Sequence, residues 1–164
     1  MKSSKTMKEC GEFKHIVNSA IYNDSNIKTL LFDGTDTSNM SASEMRQLFK
    51  KHVMSHLFID DTIKETDSFI FYDVRMLYMH ENIKDCSLVV YVVCHRDILD
   101  NYEADGYYGN RADILSQMIE DCLINDETIV NKFGIGKLFL DSVDIYNSAK
   151  FYGRIMTFNV PTFR

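Results

Sequence analysis

Ser68-Phe-Ile-Phe-Tyr-Asp-Val-Arg-Met-Leu-Tyr78 is dense in aromatic and β-branched residues and reads as a strand. Ile70, Tyr72, Val74, Met76 and Tyr78 fall on one face of it. Phe69, Phe71, Asp73, Arg75 and Leu77 fall on the other, which is therefore partly wet. Downstream, Leu88-Val-Val-Tyr-Val-Val-Cys94 is apolar on both faces, the pattern of a central strand. A turn over Asn82 to Asp85 joins the two, and so short a link predicts an antiparallel hairpin.

Upstream of the hairpin the periodicity is helical. Cys10, Phe13, Val17, Ala20 and Ile21 recur at three- and four-residue steps and predict an amphipathic helix over 5–22. Ile27 to Phe32 adds a further turn. The polar stretch Asp33-Gly-Thr-Asp-Thr-Ser-Asn39 reads as a loop. Ser41-Ala-Ser-Glu44 then has the form of a capping box, and Met45, Leu48, Phe49, Val53 and Leu57 predict a helix from 42 to 57.

Downstream, residues 97–110 form a long acidic and aromatic loop. A helix follows, with Ile114, Leu115, Met118, Ile119, Cys122 and Leu123 on one stripe. A turn at 131–136 leads into a short strand, Ile135 to Leu140. The last strand runs from Phe151 to Val160, and Pro161 stops it. Helix, helix, strand, strand, helix, strand, strand is an α+β order. It predicts one domain over 1–164, with a helical part at 1–64 and a sheet-and-helix part at 65–164. The sheet is mostly antiparallel, of about four strands, and packed by helices.

The whole chain of 164 residues carries a net charge of −6. The acidity is concentrated: residues 1–64 carry nine Lys/Arg and eight Asp/Glu, whereas residues 65–164 carry nine and sixteen. This balance argues against a sequence-independent grip on nucleic-acid phosphates. No apolar run approaches the length of a membrane-spanning helix, and the N-terminal stretch MKSSKTMKECGEFK lacks a secretory apolar core. Cys10, Cys86, Cys94 and Cys122 form no CxxC pair and sit in apolar or amphipathic segments. They read as buried free thiols of a reducing compartment.

Catalytic patterns are weak. His52-Val-Met-Ser-His56 has the i, i+4 spacing of a zinc hydrolase, but Val53 stands where the general-base glutamate belongs. Only Asp60 or Asp61 offers a third ligand. Glu12-Phe-Lys14 lies on a helix rather than a nuclease strand. Cys94 and His95 point to opposite faces of a strand and cannot easily pair. Gly134-Ile-Gly136 opens a strand and seats no phosphate. Asp97, Asp100, Glu103 and Asp105 do not match EF-hand spacing and read as a solvated loop. Tyr102, Tyr107 and Tyr108 in that loop, with Arg111 beside them and Phe163 past the last strand, have two readings. They form a protein interface, or they fold back over the sheet edge.

The order of elements resembles a known family. Two N-terminal helices lead to Phe69-Ile-Phe-Tyr-Asp-Val-Arg-Met76 and to Val89-Val-Tyr-Val-Val-Cys-His95. Gly109-Asn-Arg-Ala-Asp-Ile-Leu115 opens a helix. Gly134-Ile-Gly-Lys-Leu-Phe-Leu-Asp-Ser142 and Phe151-Tyr-Gly-Arg-Ile-Met-Thr-Phe-Asn-Val160 close the chain. Over residues 5–163 this resembles the tail-terminator or tail-completion proteins of tailed bacteriophages.

The resemblance implies a structural protein of the virion, assembled in the host bacterial cytoplasm. Its subunits form a ring, usually a hexamer, that caps the head-proximal end of the tail tube and joins the neck. The implied partners are further copies of the chain, the tail tube protein and the neck or head-completion proteins. DNA passes through without specific binding. No active site, metal, cofactor or membrane is implied. Arg111 and the 97–110 loop become the expected subunit or tube contacts. The closing strand becomes a pairing edge between subunits, and Asp97, Asp100, Glu103 and Asp105 a lumen lining that repels phosphate. The capped helix and the long N-terminal region depart from the family pattern, which leaves another head–tail connector as the alternative. A small metal-dependent hydrolase using His52 and His56 is the competitor from another class.

Overall fold

A computed structural model describes residues 6–57, 63, 65–79, 83–125 and 137–163; the side chains of 6, 77–79, 83–84 and 161–163 are outside that description. The architecture is α+β. Helices α1 (Thr6–Asn23), α2 (Ser25–Leu31) and α3 (Ala42–His52) precede a two-residue strand β1 (Val53–Met54). The hairpin β2 (Ser68–Met79) and β3 (Ile83–His95) follows. A 3₁₀ turn at Arg96–Ile98, helix α4 (Arg111–Glu120) with a π turn at Asp121–Asn125, and strands β4 (Phe139–Asn147) and β5 (Phe151–Phe163) complete the chain. The sheet order is β1-β2-β3-β5-β4, antiparallel throughout except for β1 beside β2.

Helices α2, α3 and α4 start where a side chain can take up their free N–H groups. Asp24 accepts from the Ile27 N–H at 2.9 Å. Ser41 and Glu44 form a reciprocal capping box, as the sequence predicts. Asn110 and Asp113 form a second one at the start of α4.

The helix predicted over 42–57 ends five residues early. Val53 and Met54 leave it to pair in parallel with Ile70 and Phe71. A β-branched residue at the sheet edge gains more from the ladder than from another helical turn. The strand predicted over 135–140 is longer and lies later, at Phe139–Asn147. Pro161 does not stop the last strand, which stays paired with β3 as far as Phe163. β4 has already ended by then, since its first residue Phe139 pairs with Asn159. The proline therefore sits where β5 has one neighbour, and its missing N–H costs no ladder bond.

β3 is central, and all of Leu88–Cys94 except Tyr91 is buried. Alternation along the sheet separates two cores. On one face, α1, α2 and α4 set Val17, Ile21, Leu30, Ile114, Leu115 and Ile119 against Ile70, Tyr72, Val90, Val92, Met156 and Phe158. On the other, Phe69, Phe71, Val93 and Phe151 make a smaller cluster joined by Met54, Ile63, Tyr91 and Tyr146. At Gly153 β5 runs so close to β3 that a Cβ there would overlap the Val92 carbonyl oxygen. All four cysteines are buried and none is in a disulfide.

Candidate interaction surfaces

The loop at 97–110 is held from beneath by Arg111, the first residue of α4. Arg111 is only 5% exposed. Its backbone N–H donates to the Leu99 carbonyl at 2.8 Å and its Nε to the Ile98 carbonyl at 3.0 Å. A terminal nitrogen pairs with Asp33 at 3.0 Å, and the guanidinium lies 5.0 Å from the centre of the Tyr102 ring. Arg111 thus joins the loop after α2, the acidic loop and the α4 N-terminus. The resemblance makes it an expected subunit or tube contact; within one chain the fold turns it inward, where its planar fork serves the Ile98 carbonyl and the Asp33 carboxylate at once.

The far end of the loop is clamped by Gln117. Its Nε2 donates to the Tyr108 carbonyl, and its Oε1 accepts from the Tyr108 N–H at 3.3 Å. Gly109, at φ +105°, makes the bend that lets the chain enter α4. The three tyrosines divide between the two readings. Tyr102 and Tyr107 fold back onto the helix-side core. Burial pushes both phenols up, with Asp33 adding to Tyr102 and Asp121 to Tyr107. Tyr108 alone projects, at 80% exposure. Together the tyrosines line a depression of about 610 Å³ with Glu103, Asp105 and Ile114. Asp97, Asp100, Glu103 and Asp105 are all exposed along the same loop.

Phe163 does not join this group. It pairs with Ile83 at the end of the sheet opposite the His95–Phe151 pair, next to which the loop begins. Twelve strand residues separate the two ends, roughly 40 Å at about 3.3 Å per residue. Its side chain lies outside the described residues, as do Asp60, Asp61 and Gly134 to Gly136.

The histidine pair of the metal reading is not assembled. α3 ends at His52, so His56 is not one helical turn on from it. His52 is buried, its Nδ1 is 2.9 Å from the Ser68 carbonyl oxygen, and its ring stacks on Phe69. His56 is exposed. Among the described residues no group of three His, Cys, Asp or Glu side chains could hold a metal ion. Cys94 and His95 face opposite ways as expected. His95 accepts from the Asp97 N–H and caps the 3₁₀ turn, while burial pushes the Cys94 thiol up to about 12.

A second surface was not foreseen. β4 is the outer strand on its side of the sheet and exposes Phe139 (61%), Val143 (48%) and Ile145 (62%). The alternation of Val143 and Ile145 with Asp144 was the available signal, but it lies beyond the short strand read at 135–140. The closing strand β5, expected as a pairing edge, is not free: β3 and β4 occupy its two sides from Tyr152 to Asn159.

A small α+β protein, with a clasped acidic loop and an apolar outer strand, is the class that these features define. Residues 24–160, most of the chain, match the YomW family, and the chain belongs to it; the family is phage-derived. No curated protein and no solved structure matches the chain. No described helix is long and apolar enough to cross a membrane.

Proposed function

We propose that the chain is a structural component of a tailed-phage virion. In this reading it forms a homo-oligomeric ring, a hexamer by resemblance, that caps the head-proximal end of the tail tube and joins it to the neck. The observation that carries the reading is membership of a phage-derived family across residues 24–160. The clasped loop adds support. Arg111 and Gln117 hold it in one conformation, so binding a partner through Tyr108 costs little ordering entropy. Its four exposed carboxylates suit a surface past which DNA slides without sticking. The chain acts here as a building block and carries no active site.

Tail tubes assembled with and without the purified protein test this. Tubes of fixed length only in its presence, with protein at one end, are the expected result. Unchanged tube length, with the protein recovered on heads instead, would assign it to another head–tail connector.

A further inference from the structure

Besides the two-residue β1, two strands of this sheet have outer edges that no described strand covers. One is β4 along its whole length. The other is β2 beyond Phe71, where β1 ends. Outer strands are commonly guarded by lysine or proline. β4 has neither, although it carries a bulge between Leu140 and Ser142.

The two edges complement each other. Three successive antiparallel pairings make β2 and β4 run in opposite directions. A second copy laid beside the first, same face up, therefore offers its β2 antiparallel to β4.

The backbone phase is fixed by bonds just past the strand ends. The His95 N–H donates to the Asp67 carbonyl, so odd residues of β2 face β3 and Tyr72, Val74 and Met76 face outward. The Ser148 N–H donates to the Phe151 carbonyl, so even residues of β4 face β5, and Val143 and Ile145 face outward. One register satisfies backbone, faces and charge together. It sets Val74 opposite Ile145 and Met76 opposite Val143 on the helix side, and the exposed Arg75 opposite the exposed Asp144 on the other side. Asp73 at present accepts the Val74 N–H at 2.8 Å, and a bond to the neighbour would replace this one. The alternative of two β4 strands about a two-fold axis, with Val143 opposite Ile145, sets Asp144 against its own copy, and like charges on paired strands repel.

We infer that the occupant of the β4 edge is the β2 edge of a second copy of this chain, in a head-to-tail contact with Arg75 opposite Asp144. Such a contact closes into a ring or runs on as a filament. It rests on the proposed ring only for closure.

Mixing Arg75→Cys and Asp144→Cys proteins under mild oxidation tests it, since the native thiols are buried. Side chains on directly opposed residues come within disulfide reach. The mixture is expected to cross-link as one-to-one dimers, and neither protein alone to do so. Ile145→Lys should shift the native oligomer to monomer. Arg75→Asp and Asp144→Arg should each weaken assembly at least tenfold, and together restore it. A 144-to-144 cross-link, or an oligomer that persists without the mixed cross-link, overturns the contact and leaves the ring reading standing. A mixed cross-link with tube length unaffected overturns the tube-capping reading and leaves the contact standing. A strictly monomeric chain overturns the contact.

Discussion

Arg154 on β5 places its Nε 2.8 Å from Asp113 Oδ1 in the first turn of α4. The same carboxylate closes the capping box with Asn110. One side chain thus starts a helix and fixes that helix to the sheet. Asp113 holds the Arg154 guanidinium above its ordinary range, chiefly through this hydrogen bond.

Asp113→Ala removes both bonds, and Asn110→Ala removes only the cap. The first is expected to cost about 2 kcal/mol and the second about 1 kcal/mol, the ion pair being partly screened by solvent. Urea denaturation of the two variants measures the difference. Equal losses would mean that the two bonds to the Asp113 carboxylate together contribute no more than the single bond from the Asp113 N–H to Asn110.

Arg111 and Asp33 are unequal partners. Arg111 is buried and serves three segments, whereas the Asp33 side chain is 45% exposed. Arg111→Ala keeps the backbone bond to Leu99 but removes the Ile98 bond, the Asp33 pair and the contact with the Tyr102 ring, and is expected to cost on the order of 3 kcal/mol, against about 1 kcal/mol for Asp33→Ala, which removes only the half-exposed carboxylate. Hydrogen exchange should rise across 97–110 in the first variant only.

Gly153→Ala forces a methyl group into the Val92 carbonyl at the middle of the sheet. Relief requires moving the β3–β5 ladder, so the variant is expected to lose several kcal/mol or to be recovered insoluble. A soluble variant with native melting would refute the close approach.

Stability should fall above about pH 9. Burial raises the Cys94 thiol from 9.0 to about 12, so between these values the unfolded chain releases a proton that the folded chain keeps. The contribution is complete below the unfolded value and is lost as pH rises toward the folded one, at about 1.4 kcal/mol per pH unit. The phenols of Tyr72, Tyr102 and Tyr107, also raised, extend the loss above pH 10. Chemical denaturation between pH 8 and 11 should show the decline, and Cys94→Ala should reduce its slope between pH 9 and 10.

The strands of the hairpin, three of the helix starts and the burial of the cysteines were legible in the residues themselves. Two apolar faces on Leu88–Cys94 require a central strand, and Ser41 with Glu44 defines a helix start by local hydrogen bonding alone. These signals are short-range, so they survive without knowledge of the neighbours.

The end of α3, the length of β4 and the fate of Arg111 depended on partners far along the chain. Val53 leaves its helix because Ile70 offers a ladder, and Arg111 turns inward because Asp33, Ile98 and Leu99 converge on it. The surface was divided in the same way. Composition announced many tyrosines in one acidic loop, but packing decided that Tyr102 and Tyr107 are buttresses and that Tyr108 alone projects. Local sequence determined which segments become strands and helices. Only the tertiary structure decided which edges stay open, because an edge is defined by what the rest of the sheet leaves unpaired.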